Sequence, residues 1–356
     1  MPNIDTTSRA SIAPFVQQPV ALRAFRDLFT SLYGLREPVL PLRDVLQWYD
    51  GVRRFGAADH ELHTIPTAVV GGWFYNTSTP APTHPAVAEW VAEAHRAGVG
   101  QVLIPAVRQA ATDSVLDGSG FVGMPWSIEA ECAFESGLDA HLRRQLGRDR
   151  HDGIRRIVRR VEQRFHARHY FASELRQHPT LIDTVARLHG CNVRKYEHAA
   201  NFYSAPLLRQ LLDSAIGDHL LVCVRYDAEN GSPVQTSISL LDRSSRQLYW
   251  LAVGIDHDQV SPDVNLFVAD YHGVAALALE HGIRTINLGR GNPTQKRRLG
   301  ANRFHVLQNW VRASSPNATK ELARLRVLST AALDAPPAPR QALAFPGDRL
   351  PATREP

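Results

Sequence analysis

The chain has 356 residues, 44% of them apolar, and a formal net charge of +5; that is more than one average domain and enough hydrophobic material for two cores. The three cysteines, Cys132, Cys191 and Cys223, are scattered without a CxxC pair, which excludes a disulfide framework and a cysteine-based zinc site and fits a reducing compartment. There is no run of about 18 apolar residues and no basic-then-apolar leader, so a cytoplasmic protein without a membrane span is expected. The 16 histidines show no HxxxH or HExxH spacing, so no metal is expected either.

In chain order, 20–35 (VALRAFRDLFTSLYGL) and 41–56 (PLRDVLQWYDGVRRFG) read as helices, the second with Leu42, Val45, Leu46 and Tyr49 on one face. A strand is expected over 67–76, a helix over 84–98 closed by Gly98, and a strand over 101–107. Residues 117–134 read as a turn and a strand leading out of a first domain, 1–126. The order strand, proline-bearing loop, helix, glycine, strand occurs at 68–107 and again at 248–288. Gly72 to Gly98 spans 26 positions and Gly254 to Gly282 spans 28; a duplication and two unrelated units both fit that spacing.

Basicity is localised. Residues 143–168 carry ten arginines against Asp149, Asp152 and Glu162, a balance of +7, so the rest of the chain sums to −2. Ile154, Ile157, Val158 and Val161 form an apolar stripe through this segment, so the spacing predicts a basic helical region over 138–170. Two readings stay open: a solvated face, or a contact surface for phosphate groups built on Arg155, Arg156, Arg159 and Arg160.

A helix is expected over 180–196 and another over 204–218, followed by strands at 219–227, 234–242 and 247–256 joined by the hairpin turns DAENGS and DRSSRQ. Ser261 is placed as an N-cap with Pro262 at the first helical position, and Val264, Phe267, Val268, Tyr271, Ala275 and Leu279 recur at helical spacing up to Gly282. A strand over 283–288 then runs into a polar loop, Gly289 to Pro293, with Lys296, Arg297 and Arg298 just beyond. Arg290, framed by glycines at a strand end, suits a carboxylate or phosphate, with a loop salt bridge as the alternative. Of Tyr249 and Trp250, neighbours on one strand, only one can face a given side of the sheet. His272 and Tyr271 on the central helix read more simply as core. Residues 331–356 are Pro-rich and read as an extended tail. Periodicity alone supports a mixed α/β protein.

The pattern of an SP-initiated helix, His281-Gly282-Ile283-Arg284, a strand, Gly289-Arg290-Gly291 and then Lys296-Arg297-Arg298 before Gly300-Ala301 resembles the second half of the Fem-like acyltransferases of the GNAT superfamily. The likeness extends more weakly back to about Ile128 and covers somewhat over half the chain. It departs at Asn287, where the family strand carries an acid, and at Arg297, where relatives often place an aromatic. The resemblance implies two tandem GNAT-like domains, the second spanning 127–330, and an enzyme that transfers an acyl group to a small-molecule or peptide amine without a covalent enzyme intermediate. CoA-dependent GNAT enzymes hold the donor pyrophosphate on a glycine-bearing loop before the central helix; here 256–263 (DHDQVSPD) has acids and no glycine, so CoA is not expected at that place. Fem-like enzymes lack the loop, and many take the acyl group from aminoacyl-tRNA, which would give Arg155, Arg156, Arg159, Arg160, Arg297 and Arg298 a tRNA-binding purpose. No cofactor is implied. Lys296 aligns with the lysine near the reacting carbonyl, with Arg290, Tyr249, Asp256 and His272 as further catalytic candidates. Trp250, Asn287, Asn292, His189 and Lys195 are candidates for lining the substrate side. An acyl-CoA or carrier-protein thioester donor, and a non-catalytic binding protein on the same scaffold, are the alternatives.

Overall fold

The computed structural model describes residues 39–41, 66–69, 84–96, 100–108, 113–193, 203–214, 217–261, 263–290, 292–313 and a few positions from 319 to 326. The helix expected over 20–35, the helix expected over 41–56 apart from Pro41, which ends a strand, Lys195 and the tail lie outside the described residues. The strands are β1 Val39–Pro41, β2 Pro66–Val69, β3 Gln101–Arg108, β4 Val122–Ala133, β5 Phe165–Phe171, β6 Leu220–Asp227, β7 Pro233–Asp242, β8 Gln247–Ile255, β9 Thr285–Arg290 and β10 Arg303–Ala313. The helices are α1 His84–Arg96, α2 Asp113–Gly118, α3 Leu138–Leu146, α4 Arg148–Arg164, α5 Ala172–Gln177, α6 Pro179–Val193, α7 Ala205–Asp213, α8 Leu266–Glu280 and α9 Pro293–Arg298. All described strands join one mixed sheet in the order β1-β2-β3-β10-β4-β9-β8-β7-β6-β5. The fold is mixed α/β.

Strand alternation divides the core into two layers. Leu248 and Trp250 of β8, Ile286 and Leu288 of β9 and Ala130 and Cys132 of β4 pack with Tyr271, Val274, Ala275 and Ala278 of α8. Leu251 of β8 and Val222 and Val224 of β6 pack on the other side with Ile182, Val185 and Leu188 of α6 and Leu208 and Leu211 of α7. β6 and β7 are therefore buried along nearly their whole length, as strands covered on both faces must be. Each fully buried Leu or Ile in these layers contributes on the order of 1.5–3 kcal/mol of transfer free energy. The backbone of α6 comes very close to β8 at Gly254: a Cβ there would lie 2.5 Å from the His189 nitrogen and the Leu188 carbonyl.

The two strand–helix–strand units compared in the sequence have like geometry. β2 and β3 pair in parallel over three residues, Thr67 to Val69 with Gln101 to Leu103, and β8 and β9 do so over Gln247 to Tyr249 with Thr285 to Asn287.

Several expectations are corrected. α8 begins at Leu266, not at Ser261: Asn265 is the N-cap and its side chain accepts from the Val268 N–H at 3.1 Å, while the Ser261 hydroxyl is drawn into a local bond to Asp263. Residues 293–298 are a short helix and not a loop, because Asn292 caps it by accepting from the N–H groups of Thr294 (3.0 Å) and Gln295 (3.4 Å). β9 runs on through Gly289 to Arg290. β5 and β10 were not anticipated from the sequence: β5 follows directly on the basic helix, and β10 lies between β3 and β4 with Trp310 only 1% exposed.

Candidate active site

β8 and β9 pair over only three residues and then part company. Beyond Tyr249 and Asn287, β8 continues to Ile255 alongside β7 and β9 continues to Arg290 alongside β4. The separation opens a wedge at the carboxyl ends of two parallel strands, the place where open α/β sheets bind ligands.

A buried polar row leads to this wedge across five neighbouring strands. Pairing places Arg108 of β3, His305 of β10, Glu129 and Glu131 of β4, Asn287 of β9 and Tyr249 of β8 on one face, the face away from α8. Glu129 is 0% exposed. One of its oxygens accepts from the Arg108 Nε at 2.7 Å and the other from the Asn287 amide at 2.8 Å. Arg108 also bridges to Glu131, whose second oxygen lies 3.1 Å from the His305 Nε2. Burial works against the charge of Arg108, but Glu129 and Glu131 outweigh it and raise its pKa. Breaking a buried pair of this kind by removing one partner typically costs about 3–5 kcal/mol.

Asn287 explains itself here. Its amide donates to Glu129 and its oxygen accepts from the Gly289 N–H at 2.6 Å, so it bridges an acid and a backbone donor. An aspartate at this position would set a second carboxylate against Glu129. Gly289, at φ +68°, takes a turn that few side chains tolerate, and its carbonyl accepts from the Lys296 ammonium.

Lys296 of α9 is half-buried, and its side chain turns back to the end of β9, where the ammonium donates to the Gly289 carbonyl. Burial is the largest influence on it and brings its pKa down to about 7; Glu129 opposes that shift and Arg290 adds to it. Near neutral pH this side chain is therefore poised between ammonium and amine, as the cationic groups of reactive sites often are. The Tyr249 phenol is pushed well above its ordinary range by burial and by Asp242 and Glu129, so it stays a hydrogen-bond donor, here to Gln247.

The structure thus gathers Lys296, Arg290, Asn287 and Tyr249 around Glu129. The other candidates stand elsewhere. Trp250 points to the opposite face, with ring centroids 5.0 Å from Phe267 and 5.6 Å from Tyr271. His272 lies on α8 in the field of Asp139, Glu162 and Arg155 of α3 and α4, and burial lowers its pKa. Asp256 anchors the end of β8 to α6: Arg187 donates to it at 3.0 Å and Gln259 at 2.8 Å. Burial works against its charge, but these bonds and the Asp258 N–H prevail and hold its carboxyl below the ordinary range. His189 is buried in α6, edge-on to Tyr203 at 5.0 Å. Asn292 is the α9 cap, and Arg297 stacks over Phe304 at 4.8 Å beside the exposed Arg298.

Arg155, Arg156, Arg159 and Arg160 are exposed on α4, which packs through Ile157 and Val161 against Leu266 and Ala269 of α8. They therefore lie on the α8 side of the sheet, and the polar row lies on the other. Arg108, Glu129, Glu131 and His305 were missed from the sequence. The available signal was the alternation Ile128-Glu129-Ala130-Glu131-Cys132, which puts two acids on the same face of a strand whose other face is apolar. Among the described residues, no group of three or more His, Cys, Asp or Glu could hold a metal ion, and no helix is long and apolar enough to cross a membrane.

No family model matches the chain, and no curated protein matches it. Solved structures do resemble it. The C-terminal domain of a protein assigned as a lysylphosphatidylglycerol synthetase from Agrobacterium fabrum superposes with a TM-score of 0.52 at 13% identity, covering 74% of this chain and 82% of that one. L-PGS from Bacillus licheniformis gives 0.49 at 12% identity over 74% and 82% of the two chains. A tandem GNAT protein from the clavulanic acid biosynthesis pathway gives 0.44 at 10% identity over 71% and 76%. At such identities the likeness, carried by the first of these, is one of fold, the mixed α/β architecture.

Proposed function

We propose that this protein is a GNAT-type N-acyltransferase that forms an amide by moving an acyl group onto an amine, with an aminoacyl-tRNA as donor. The observation that carries this reading is the wedge between β8 and β9 with the Lys296 ammonium held at the Gly289 carbonyl beside it. In such a transfer the neutral acceptor amine attacks the donor carbonyl, the carbonyl oxygen becomes an oxyanion, and as the carbonyl re-forms the ester carbon–oxygen bond breaks and the departing ribose oxygen takes up the proton that the nitrogen gives up. A buried cation beside the reacting carbonyl stabilises both developing negative charges far better than it would in water. Lys296 in its ammonium form has that role, Arg290 holds the donor phosphate, and Tyr249 and Asn287 orient the acceptor.

The donor assignment draws on α4, whose exposed arginines suit a polyanion, and on the acidic 256–263 stretch, where a pyrophosphate would meet Asp258 and Asp263. A domain named for lysylphosphatidylglycerol synthesis shares the fold, and that name is in keeping with an aminoacyl donor. The chain is then organised as two GNAT-like halves, 1–126 and 127–330, working in the cytoplasm without a cofactor. Because α4 and the polar row lie on opposite faces, the tRNA body would rest on the α8 side and its acceptor end would enter the wedge at the strand ends.

The test is a transfer assay on purified protein with charged tRNA and acyl-CoA as competing donors. Amide formation from charged tRNA, with salt-sensitive tRNA binding, is the expected result. Micromolar CoA binding with no tRNA binding at low salt would assign a thioester donor instead.

A further inference from the structure

We propose that His141 of α3 is a positioning residue for Lys296: by holding the turn that ends α9, it fixes where the ammonium stands at the wedge. The inference rests on the acyl-transfer reading above and adds the residue that supports the acting cation.

α9 is six residues long and none of its side chains is buried, so packing along its own length cannot fix its place. It is held at its ends. Asn292 caps the start, and backbone bonds close the last turn: the N–H groups of Leu299 and Ala301 donate to the Lys296 carbonyl at 3.0 and 3.1 Å, and that of Gly300 donates to the Arg297 carbonyl at 3.0 Å. Lys296 is thus tied to the turn by its carbonyl while its ammonium donates to Gly289. Leu299 and Ala301 are buried, and the Asn302 side chain bonds the Ala133 backbone at 2.8 and 3.0 Å, which secures the chain beyond.

The Gly300 carbonyl remains, and His141 meets it. His141 is 0% exposed, its ring centroid lies 4.6 Å from that of Phe134, and its Nε2 stands 2.8 Å from the Gly300 oxygen. A carbonyl only accepts, so Nε2 carries the hydrogen. Nδ1 is then buried with no hydrogen-bond partner among the described residues. An apolar side chain would avoid that cost, so the polar edge of the ring is accounted for by the bond to Gly300. The approach is close as well: Gly300 has φ +93°, and a Cβ there would lie 2.8 Å from the Leu142 Cδ2. α3 is in turn joined to α4, where the His151 Nε2 is 3.0 Å from Asp139. The arginine helix and α9 therefore share one support.

The test pairs His141→Leu, which fills similar space and loses the donor, with His141→Gln, whose amide nitrogen reaches the place of Nε2. Hydrogen exchange of the 293–301 peptide, read by mass spectrometry, and single-turnover transfer are both measured on the intact protein. In His141→Leu the amides of Leu299, Gly300 and Ala301 should exchange about tenfold faster. The rate of transfer should fall about ten- to a hundred-fold, because small displacements of a group beside the reacting atoms are costly, while donor affinity stays within a few-fold of native. His141→Gln should restore most of both. Native exchange in His141→Leu, faster exchange with an unchanged transfer rate, or a Gln variant no better than Leu overturns the proposal. If His141→Leu does not fold, His141→Asn decides in its place, because its amide nitrogen reaches only as far as Nδ1; native exchange and rate in that variant overturn the proposal equally. Exchange needs no turnover, so a failure of the acyl-transfer reading shows as inactivity of the native protein with every donor while the variants still differ in exchange.

Discussion

Arg155, Arg156, Arg159 and Arg160 on α4 and Lys296 on α9 carry the same formal charge in opposite surroundings. The arginines stand in water on one face of a helix whose Val158 and Val161 are buried, and the Arg156 and Arg159 side chains reach back only to backbone carbonyls one turn away, at 3.5 and 3.4 Å. Lys296 has lost most of its water and answers to one carboxylate, one guanidinium and one carbonyl. Exposed charge of the first kind is screened by salt over about 10 Å and acts by attracting a partner. Enclosed charge of the second kind acts on the atoms next to it and can be switched by a proton.

The sharpest way to separate them is Lys296→Ala. Loss of the enclosed cation should lower kcat by on the order of a hundred- to a thousand-fold while tRNA affinity stays within a few-fold, measured by single-turnover transfer and by filter binding. Lys296→Arg should recover only part of the rate, because a planar guanidinium does not occupy the position of an ammonium. The converse variant replaces Arg155, Arg156, Arg159 and Arg160 together by Gln. It should weaken tRNA binding about tenfold or more and lower the slope of log affinity against log salt by roughly 3, and leave the single-turnover rate at saturating tRNA close to that of the native protein. Equal loss of binding from both variants would dissolve the distinction.

Stability offers a smaller effect with a definite sign. The folded pKa of Lys296, about 7, lies below the ordinary lysine value of 10.5. Between those pH values the unfolded chain binds a proton that the native protein does not, so stability rises with pH across that window. Lys296→Met removes this dependence and should raise Tm more at pH 7 than at pH 10, by calorimetry. Smallest of all is Arg148→Ala. Its ion pair with Asp152 at 3.8 Å is 82% exposed on the arginine side, and its loss should change stability by less than about 0.5 kcal/mol in urea titration.

The sequence shows one of these regions far more plainly than the other. Ten arginines in 26 residues stand out in composition, and the stripe Ile157, Val158, Val161 marks which side of α4 is buried. The strands from β6 to β9 and helix α8 also follow from their alternation and periodicity, with α8 shifted to an Asn265 cap because the short Ser261 side chain is taken up by Asp263. Lys296 was legible only through a family resemblance, while Arg290 was marked also by its place between glycines at a strand end. Their surroundings were not, because Arg108, Glu129 and Lys296 lie 21 and 167 positions apart along the chain and meet only through strand order. That order depends on β10, whose polar interruptions His305, Gln308 and Asn309 hide a buried strand. Asn309 itself is buried because its side chain accepts from the Ala106 N–H at 3.0 Å, at the bulge where Ala106 adopts φ 55°.

The place of β10 also bears on how the protein is made. Residues 303–313 lie between β3 and β4, strands that end 195 and 170 residues earlier, and they supply a hydrogen-bonded neighbour to each. A nascent chain thus emerges from the ribosome with the facing edges of β3 and β4 open, while β5 to β8 can already pair with their sequence neighbours. The half that is translated first is completed last, and until Trp310 is seated the two open edges are the chain's exposure to wrong partners.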